Sequence, residues 1–169
     1  MNSLSDNELL VLAEMLESEA RKEGVTKFIA GAAIIRDGGV LIIRRLSTES
    51  LLPNYWELPS GGAEYNDSTI IDTLKREVLE ETGLTIDSIK TYLGYFDYKT
   101  IKHAKVRQWN FLVEVKNSEI TLSENEHDAY RTVININDIP IKISNESKKT
   151  VETAIEEIKT ASKNKKEIV

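Results

Sequence analysis

The 169-residue chain contains no cysteine, only three prolines and two histidines, and no long apolar run. The absence of cysteine excludes disulfides, thiolate nucleophiles and cysteine-based metal sites. No apolar run approaches the roughly 18 residues of a membrane-spanning helix, and the N-terminal stretch lacks the basic and apolar regions of a signal peptide. The expectation is therefore a cytoplasmic protein with no membrane attachment.

Positive charge is also in short supply, because the net charge is −6 and the isoelectric point is about 5.1. A chain this acidic is a poor binder of anionic membranes or of nucleic acid in bulk, although a metal can still hold one phosphorylated small molecule. The hydrophobic content of 40% and the charged content of 30% are ordinary for a globular protein. The length suits one domain with a sizeable core.

The most distinctive stretch is 76–84, Arg-Glu-Val-Leu-Glu-Glu-Thr-Gly-Leu. In a helix, Glu77, Glu80 and Glu81 are three or four positions apart and project from one face. Like charges at this spacing destabilise a surface helix, whereas Mg²⁺ or Mn²⁺ prefers oxygen ligands and would offset the repulsion. The stretch is therefore interpreted as a candidate metal site, with a solvated acidic face as the alternative.

Hydrophobic periodicity predicts helices and strands on either side of this stretch. An amphipathic helix is expected at 5–23, where Ser5 and Glu8 form a capping box. It packs on the domain or on a second subunit, so a homodimer is one of two alternatives. Strands are expected at 27–35, 40–44, 86–98, 105–116 and 131–136, further helices at about 68–82 and 145–161, and loops at 46–55 and 117–128.

Several details of these elements follow from their composition. The strands at 27–35 and 40–44 are too apolar for a one-sided sheet, so both of their faces should be covered. The strand at 105–116 alternates as if one face were buried. Ser68 is the expected N-cap of the central helix and Gly83 its C-terminal glycine. The predicted organisation is an N-terminal helix at 1–24, a main domain at 25–162 and a frayed tail at 163–169.

Gly62 and the stretch 76–84 together resemble the Nudix box, Gly-x5-Glu-x7-Arg-Glu-U-x-Glu-Glu-x-Gly-U, where U is a bulky aliphatic residue. The preceding segment 55–62, Tyr-Trp-Glu-Leu-Pro-Ser-Gly-Gly, is similar to the usual approach to this box, and 126–133 is similar to a late segment of MutT-like members. The resemblance implies an α/β fold. This is an α/β/α sandwich with a mixed sheet and a loop-helix-loop metal site, to which the N-terminal helix is an addition.

The resemblance also implies a reaction, the hydrolysis of a nucleoside diphosphate linked to a group X. Mg²⁺ or Mn²⁺ is the implied cofactor, and a small nucleotide or other diphosphate is the implied partner. The implied metal ligands are Glu77, Glu80, Glu81 and the backbone carbonyl of Gly61 or Gly62. A metal held there would neutralise the anionic oxygens of a diphosphate and lower the pKa of a bound water.

Other roles implied by the resemblance fall on residues around the box. Arg76, four positions before Glu80, is expected to orient that carboxylate. The general base is Glu80 itself or a glutamate of the late loop, either Glu126, which is preferred, or Glu124. Arg44 and Arg45 are either surface charges at a strand end or phosphate contacts. The residues expected to bind substrate are Arg44, Arg45 and Glu57.

One position departs from the box, because its first glutamate falls on Ser68. One extra residue in the loop would put Asp67 there instead, with Gly61 as the box glycine and Ala63-Glu64 similar to the usual Val-Glu. Both registers stay open. The family's first glutamate is an accessory ligand or a helix support, so the departure affects rate and metal affinity more than reaction type. It also motivates an alternative, a Nudix-like nucleotide-binding or regulatory module with little or no catalysis.

No marker downstream of the box selects a substrate. The proline typical of ADP-sugar hydrolases about 15 residues past the box is missing, as is the marker of the NADH group. A nucleoside triphosphate or modified nucleotide, cleaved to a monophosphate and pyrophosphate, is the remaining choice. Isopentenyl-diphosphate isomerases share the fold but use an active-site cysteine, which this chain lacks. A purely structural domain would require the glutamate spacing to be incidental.

Overall fold

The computed structural model describes residues 1–167. Helices and strands alternate along most of the chain. The elements are α1 (Asp6–Lys22), β1 (Lys27–Arg36), β2 (Gly39–Arg45), β3 (Trp56–Glu57), β4 (Ser60–Gly62), α2 (Ile70–Thr82), β5 (Ile86–Lys99), β6 (Lys105–Val115), β7 (His127–Val133), a short 3-10 helix (Ile136–Asp138) and α3 (Asn145–Glu167).

The strands form one seven-stranded mixed sheet, in which β1 to β3, β5 and β6 have the order β3-β2-β1-β6-β5. β1 and β6 are parallel, whereas the other strand pairs are antiparallel, with β4 paired to β1 and β7 paired to β2. α1 and α2 cover one face, where a core forms around Leu16, Leu74 and Trp109. α3 covers the other face, with Ile42 and Ile155 in a second core. The predicted α/β/α sandwich with a mixed sheet is confirmed.

The N-terminal helix packs on the domain itself. Its buried residues belong to the same core as α2, and they are Leu9, Ala13, Leu16 and Ala20. The predicted capping box is present, because Ser5 Oγ accepts from the Glu8 amide while the Glu8 carboxylate accepts from the Ser5 amide. Glu17 Oε1 also accepts from the backbone N–H of Ile70 at 2.8 Å. α1 therefore supports the first turn of α2, and a homodimer stays a prediction.

The helix of the box, α2, begins one residue later than predicted. Its N-cap is Thr69, whose hydroxyl accepts from the Asp72 amide at 3.3 Å, and the Asp72 carboxylate accepts from the Thr69 amide at 3.0 Å. The Ser68 prediction is wrong because the residue three positions after Ser68 is Ile71, which offers no such oxygen. Gly83 ends the helix with a left-handed φ of 69°, as predicted.

Three other expectations also need correction. β6 is buried on both faces from Val106 to Val113, because it lies between β1 and β5 with a helix layer on either side of the sheet. β7 begins at His127, four residues earlier than predicted, because it pairs with β2. α3 continues to Glu167, six residues beyond its predicted end at 161, while the frayed tail at 163–169 stays a prediction and residues 168 and 169 lie outside the described residues. Within 1–167, no helix is long and apolar enough to cross a membrane.

Candidate active site

The three glutamates of the box differ sharply in their exposure. α2 buries Ile71, Leu74 and Val78 against the sheet and presents the carboxylates toward the loop that carries β4. The side chains of Glu77 and Glu81 are 12% and 8% exposed, whereas that of Glu80 is 56% exposed. Two buried carboxylates on neighbouring turns are costly unless charge or hydrogen bonds compensate them.

Arg76 offsets part of the negative charge of these carboxylates. Its guanidinium donates to Glu77 Oε1 at 2.7 Å and to Glu80 Oε2 at 3.0 Å. It also donates to the Gly62 carbonyl at 2.7 Å and to Asp67 Oδ2 at 2.9 Å. These bonds, led by that to Asp67, raise the pKa of Arg76 far above its usual range, and they lower the pKa of Asp67 to about 2. Arg76 thus ties the loop to the exposed end of the carboxylate group.

Asp67 supports the loop before α2. Besides Arg76, its carboxylate accepts from the Thr73 hydroxyl at 3.0 Å and from the Glu64 amide at 2.9 Å. Ser68 is exposed, and no hydrogen bond of its side chain is present within residues 1–167. The Glu64 carboxylate is exposed and lies 3.8 Å from Arg76. The geometry therefore favours the register in which Asp67 takes the first acidic position.

Glu81 lies on the buried side of the group. Its Oε2 accepts from the Ser60 amide at 2.8 Å, which joins α2 to β4. Burial raises the pKa of Glu81 to about 9 in spite of this bond, and the nearby carboxylates of Glu57, Glu77 and Glu126 add to the rise. Burial likewise raises the pKa of Glu77. The site thus gathers more carboxylates than its own cations balance.

The late loop brings Glu126 and His127 to Glu81. Backbone bonds hold the loop against the end of α2, with the Thr121 amide donating to the Thr82 carbonyl at 2.9 Å. One potential ligand atom from each of Glu81, Glu126 and His127 then lies within 4.8 Å of the others. His127 is buried, with its Nε2 3.0 Å from Glu57 Oε1 and 3.9 Å from Glu81 Oε1. Carboxylate oxygens and an imidazole nitrogen, with excess negative charge, are a donor set that suits a divalent cation.

The glycines before α2 are not equivalent. A Cβ built on Gly61 would overlap the carboxylate of Glu77, whereas a Cβ on Gly62 would meet only the Phe28 carbonyl at 4.0 Å. The Gly62 carbonyl already accepts from Arg76. Close approach of backbone to the carboxylates is therefore a property of Gly61.

Arg44 and Arg45 occupy different surroundings although they are neighbours on β2. Arg45 donates to Glu57 at 3.0 Å and to Glu49 at 2.8 Å, so it adjoins the cluster through Glu57. Arg44 pairs with Asp128 at 2.7 Å, and its guanidinium lies over the Trp56 ring. Adjacent residues of a strand point to opposite faces of the sheet. Of these two arginines, Arg45 thus contacts Glu57, the carboxylate that pairs with His127.

Comparison with known proteins identifies the family. The NUDIX domain model matches residues 26–154. The chain belongs to the NUDIX family. An uncharacterized Nudix hydrolase of Listeria innocua is 27% identical over 132 residues, which cover 73% of this chain and 72% of that protein. The m7GpppN-mRNA hydrolase NUDT17 of Danio rerio is 37% identical over 83 residues, 49% of this chain and 26% of that protein.

Solved structures share the fold of this Nudix chain. A MutT NUDIX hydrolase from Burkholderia pseudomallei aligns with a TM-score of 0.65 at 23% identity, covering 75% of this chain and 96% of that one. An ADP-ribose pyrophosphatase from Streptococcus suis aligns with a TM-score of 0.57 at 21% identity, covering 80% and 91%. The predicted membership is confirmed, and with it the prediction of a Nudix-type pyrophosphohydrolase.

The Nudix site includes groups that the sequence did not single out. His127 is one of them, because it is buried with its Nε2 near the carboxylates of Glu57 and Glu81. The sequence feature that could have indicated His127 as a site residue is its position directly after Glu126, at the start of a strand. The Ser60 amide that holds Glu81 carries no signal, because any residue has an N–H. Glu124, one of the candidates for the base, is exposed, and no ion pair of its carboxylate occurs within the described residues.

Proposed function

We propose that this Nudix hydrolase cleaves the diphosphate bond of a nucleoside diphosphate linked to X, with Mg²⁺ or Mn²⁺ as cofactor. A nucleoside triphosphate or modified nucleotide, split to a monophosphate and pyrophosphate, is the proposed substrate. The observation that carries the proposal is the convergence of Glu81, Glu126 and His127 beside the buried carboxylate of Glu77. A phosphorylated substrate held through a cation also agrees with the acidic composition of the chain.

The proposed metal ligands are Glu77, Glu80 and Glu81, joined by the Gly61 carbonyl. Gly61 is preferred to Gly62 because its backbone lies against the Glu77 carboxylate, where a Cβ would overlap that group. A divalent cation bound there neutralises charge on the diphosphate oxygens and lowers the pKa of a bound water.

The remaining steps fall to the chain's own side chains. Arg76 orients Glu77 and Glu80 through one hydrogen bond to each, and the Ser60 amide orients Glu81. Glu126 is the exposed member of the cluster, so its carboxylate can accept the proton of a water that attacks phosphorus. The new bond joins that water oxygen to phosphorus while the bridging phosphorus–oxygen bond breaks. Arg45 and Glu57 line the approach, and Arg44 has no part in this proposal.

Hydrolysis of a nucleotide panel with Mg²⁺ or Mn²⁺, with the products identified, tests the function. We expect metal-dependent release of pyrophosphate or phosphate, and we expect Glu80→Gln to lower kcat/KM by at least ~100-fold, since a ligand is lost from a site that stabilises charge in the transition state. Because Glu80 is mostly exposed, the variant should remain folded. The matched control is Glu157→Gln on the exposed surface of α3, which should leave turnover unchanged.

Two outcomes of the same panel contradict the hydrolase proposal. Equal turnover in wild type and Glu80→Gln would contradict the proposed set of metal ligands. Tight nucleotide binding without turnover in either metal instead supports the binding or regulatory module, which the serine at position 68 motivates.

Gly61→Ala and Gly62→Ala form a matched pair that tests the ligand glycine. We expect Gly61→Ala to weaken metal binding by about tenfold or more, because its Cβ forces the Glu77 carboxylate to move. Gly62→Ala has room for a Cβ and should bind metal within about twofold of wild type. The measurement is Mn²⁺ titration by calorimetry, with thermal melts to confirm folding. Weaker binding in Gly62→Ala alone would reverse the assignment.

A further inference from the structure

Two buried amides interrupt the apolar strand β6. Gln108 and Asn110 are two residues apart, so both project from the face of the sheet that α3 covers, and they are 9% and 1% exposed. Burying an amide costs free energy unless it is hydrogen-bonded. Gln108 Nε2 donates to Asn110 Oδ1 at 3.0 Å, which satisfies part of both groups. The bond also holds the Gln108 amide in one orientation and leaves its carbonyl oxygen and second N–H for another partner.

The sheet leaves room beside these amides. In the row of the sheet that contains Asn110, the neighbours are Gly31 on β1 and Gly94 on β5. A Cβ on Gly31 would overlap Asn110 Oδ1 and lie 2.7 Å from Gln108 Nε2. The amides therefore lie directly over the backbone of Gly31, and no side chain from either neighbouring strand stands between them and the rest of that row.

The same row leads to the candidate active site. Gly31 pairs with Ser60 on β4, and the Ser60 amide holds Glu81. Strands are spaced by about 4.8 Å, so Asn110 lies two strand widths, about 10 Å, from the backbone that orients a proposed metal ligand. This separation is comparable to the reach of a nucleotide from its phosphates to its base.

Aromatic rings stand beside the amides on β5. Phe96 is in register with Gln108, and Tyr98 follows on the same face with its ring centroid 6.3 Å from that of Phe96. Tyr98 is 40% exposed, and Phe96 is partly buried. Tyr98 also lines a cavity together with Gly62 and Asp67 of the loop before α2, so its ring lies on the side of the candidate active site. Rings placed this way can stack on a planar heterocycle.

We propose that Gln108 contacts the base of the nucleotide substrate, with Phe96 and Tyr98 as the stacking surface. Asn110 is a positioning residue that acts through the Gln108 amide. The inference rests on the proposed function, since it takes a nucleotide as the substrate. A carboxamide offers an acceptor and a donor side by side, which matches the polar edge of a base carrying an exocyclic amino or oxo group next to a ring nitrogen.

The test pairs each nucleotide with its analogue lacking the exocyclic group, at position 6 of a purine or position 4 of a pyrimidine. For the best nucleotide substrate, we expect the wild-type kcat/KM to exceed that of its analogue by at least about tenfold. The reason is that the analogue leaves a buried amide unpaired. Gln108→Leu should have similar kcat/KM values for the nucleotide and its analogue, because its kcat/KM for the complete nucleotide falls. Tyr95→Phe, on the same strand but the opposite face, is the matched control and should keep the preference.

Asn110 is tested by the same ratio. Asn110→Ala should reduce the preference for the complete base, and Asn110→Asp should restore it in part, because an oxygen again faces Gln108 Nε2. A merely structural role would lower stability in both variants without changing the ratio. Thermal melts of each variant separate loss of folding from loss of recognition.

The outcomes that overturn the base contact differ from those that overturn the proposed hydrolase function. If wild type turns over nucleotides and Gln108→Leu keeps the same base preference, the base contact is overturned and the proposed hydrolase function stands. If no nucleotide is turned over, binding of the nucleoside monophosphates to metal-free protein by calorimetry decides instead. Binding that depends on the exocyclic group in wild type and not in Gln108→Leu supports the contact. Absence of such binding overturns it.

Discussion

Glu81→Gln should abolish hydrolysis and at the same time make the metal-free protein more stable. The carboxylate is 8% exposed and its pKa is raised to about 9, chiefly by burial. Ionising Glu81 in the folded protein is therefore costly, and a neutral amide of the same shape removes this cost. The same amide is a weaker ligand for a divalent cation, so kcat should fall by at least about 100-fold.

The pH dependence of this gain follows from the direction of the shift. The folded pKa lies above the unfolded value near 4.5, so Glu81 contributes its full stability below pH 4.5 and loses it as the pH rises toward 9. Glu81→Gln has no such loss, so the difference in free energy of unfolding should grow across this range. At pH 7 the gain is about 3 kcal/mol, since one pKa unit corresponds to about 1.4 kcal/mol.

Chemical denaturation with a chelator at pH 5, 7 and 9 measures this gain. Glu80→Gln is the matched control, because the Glu80 side chain is 56% exposed and its replacement relieves little burial. It should lose activity without becoming more stable. Adding Mn²⁺ should stabilise wild type and not Glu81→Gln. A Glu81→Gln protein that is less stable than wild type at pH 9 would show that the buried carboxylate is compensated in the absence of metal.

Arg76→Gln should have the largest destabilising effect among changes in the box. The arginine side chain is 20% exposed and touches the 7% exposed Asp67 and the 12% exposed Glu77. Its removal leaves two carboxylates that are mostly buried and lack their cation, and breaking a buried pair in this way costs about 3–5 kcal/mol. Denaturation at pH 7 without metal measures the loss.

Two comparisons sharpen the Arg76 result. Arg21→Gln removes a 66% exposed arginine that pairs i, i+4 with Glu17, and it should cost less than about 1 kcal/mol. Adding Asp67→Asn to Arg76→Gln should restore part of the stability, since one of the unpaired carboxylates is gone. The Asp67 contribution is present above its unfolded pKa near 3.8 and is lost as the pH falls through about 2. Equal losses in Arg21→Gln and Arg76→Gln would refute a network role for Arg76.

Local pattern was sufficient to predict the parts of the site that lie on one helix. The spacing of Glu77, Glu80 and Glu81 and the terminal glycine at 83 depend only on helical periodicity and capping, and α2 has both. The position of the N-cap depends on which hydroxyl has an acceptor three residues later, a test that Thr69 passes through Asp72 and Ser68 does not. That distinction was available from the sequence.

Other parts of the site depend on contacts between distant segments. Glu126 and His127 approach Glu81 because β7 pairs with β2 and the late loop bonds to the end of α2, and no local pattern encodes either contact. The choice between Asp67 and Ser68 depends on the direction in which a loop side chain points, and the bond from Arg76 to Asp67 favours Asp67 over the exposed Ser68. The exposures that separate Glu80 from Glu81 likewise come from tertiary packing.

The contact between Glu17 and the Ile70 amide bears on how a minimal catalytic fragment of this protein can be chosen. The family match begins at residue 26, which invites a fragment that starts there. Such a fragment would remove the carboxylate that serves the first turn of α2 and expose the core surface under Ala13 and Leu16. The helix that carries the glutamates would then begin with an unsatisfied N–H and without the favourable charge at its positive end. The practical N-terminal limit of the functional unit therefore lies before residue 5.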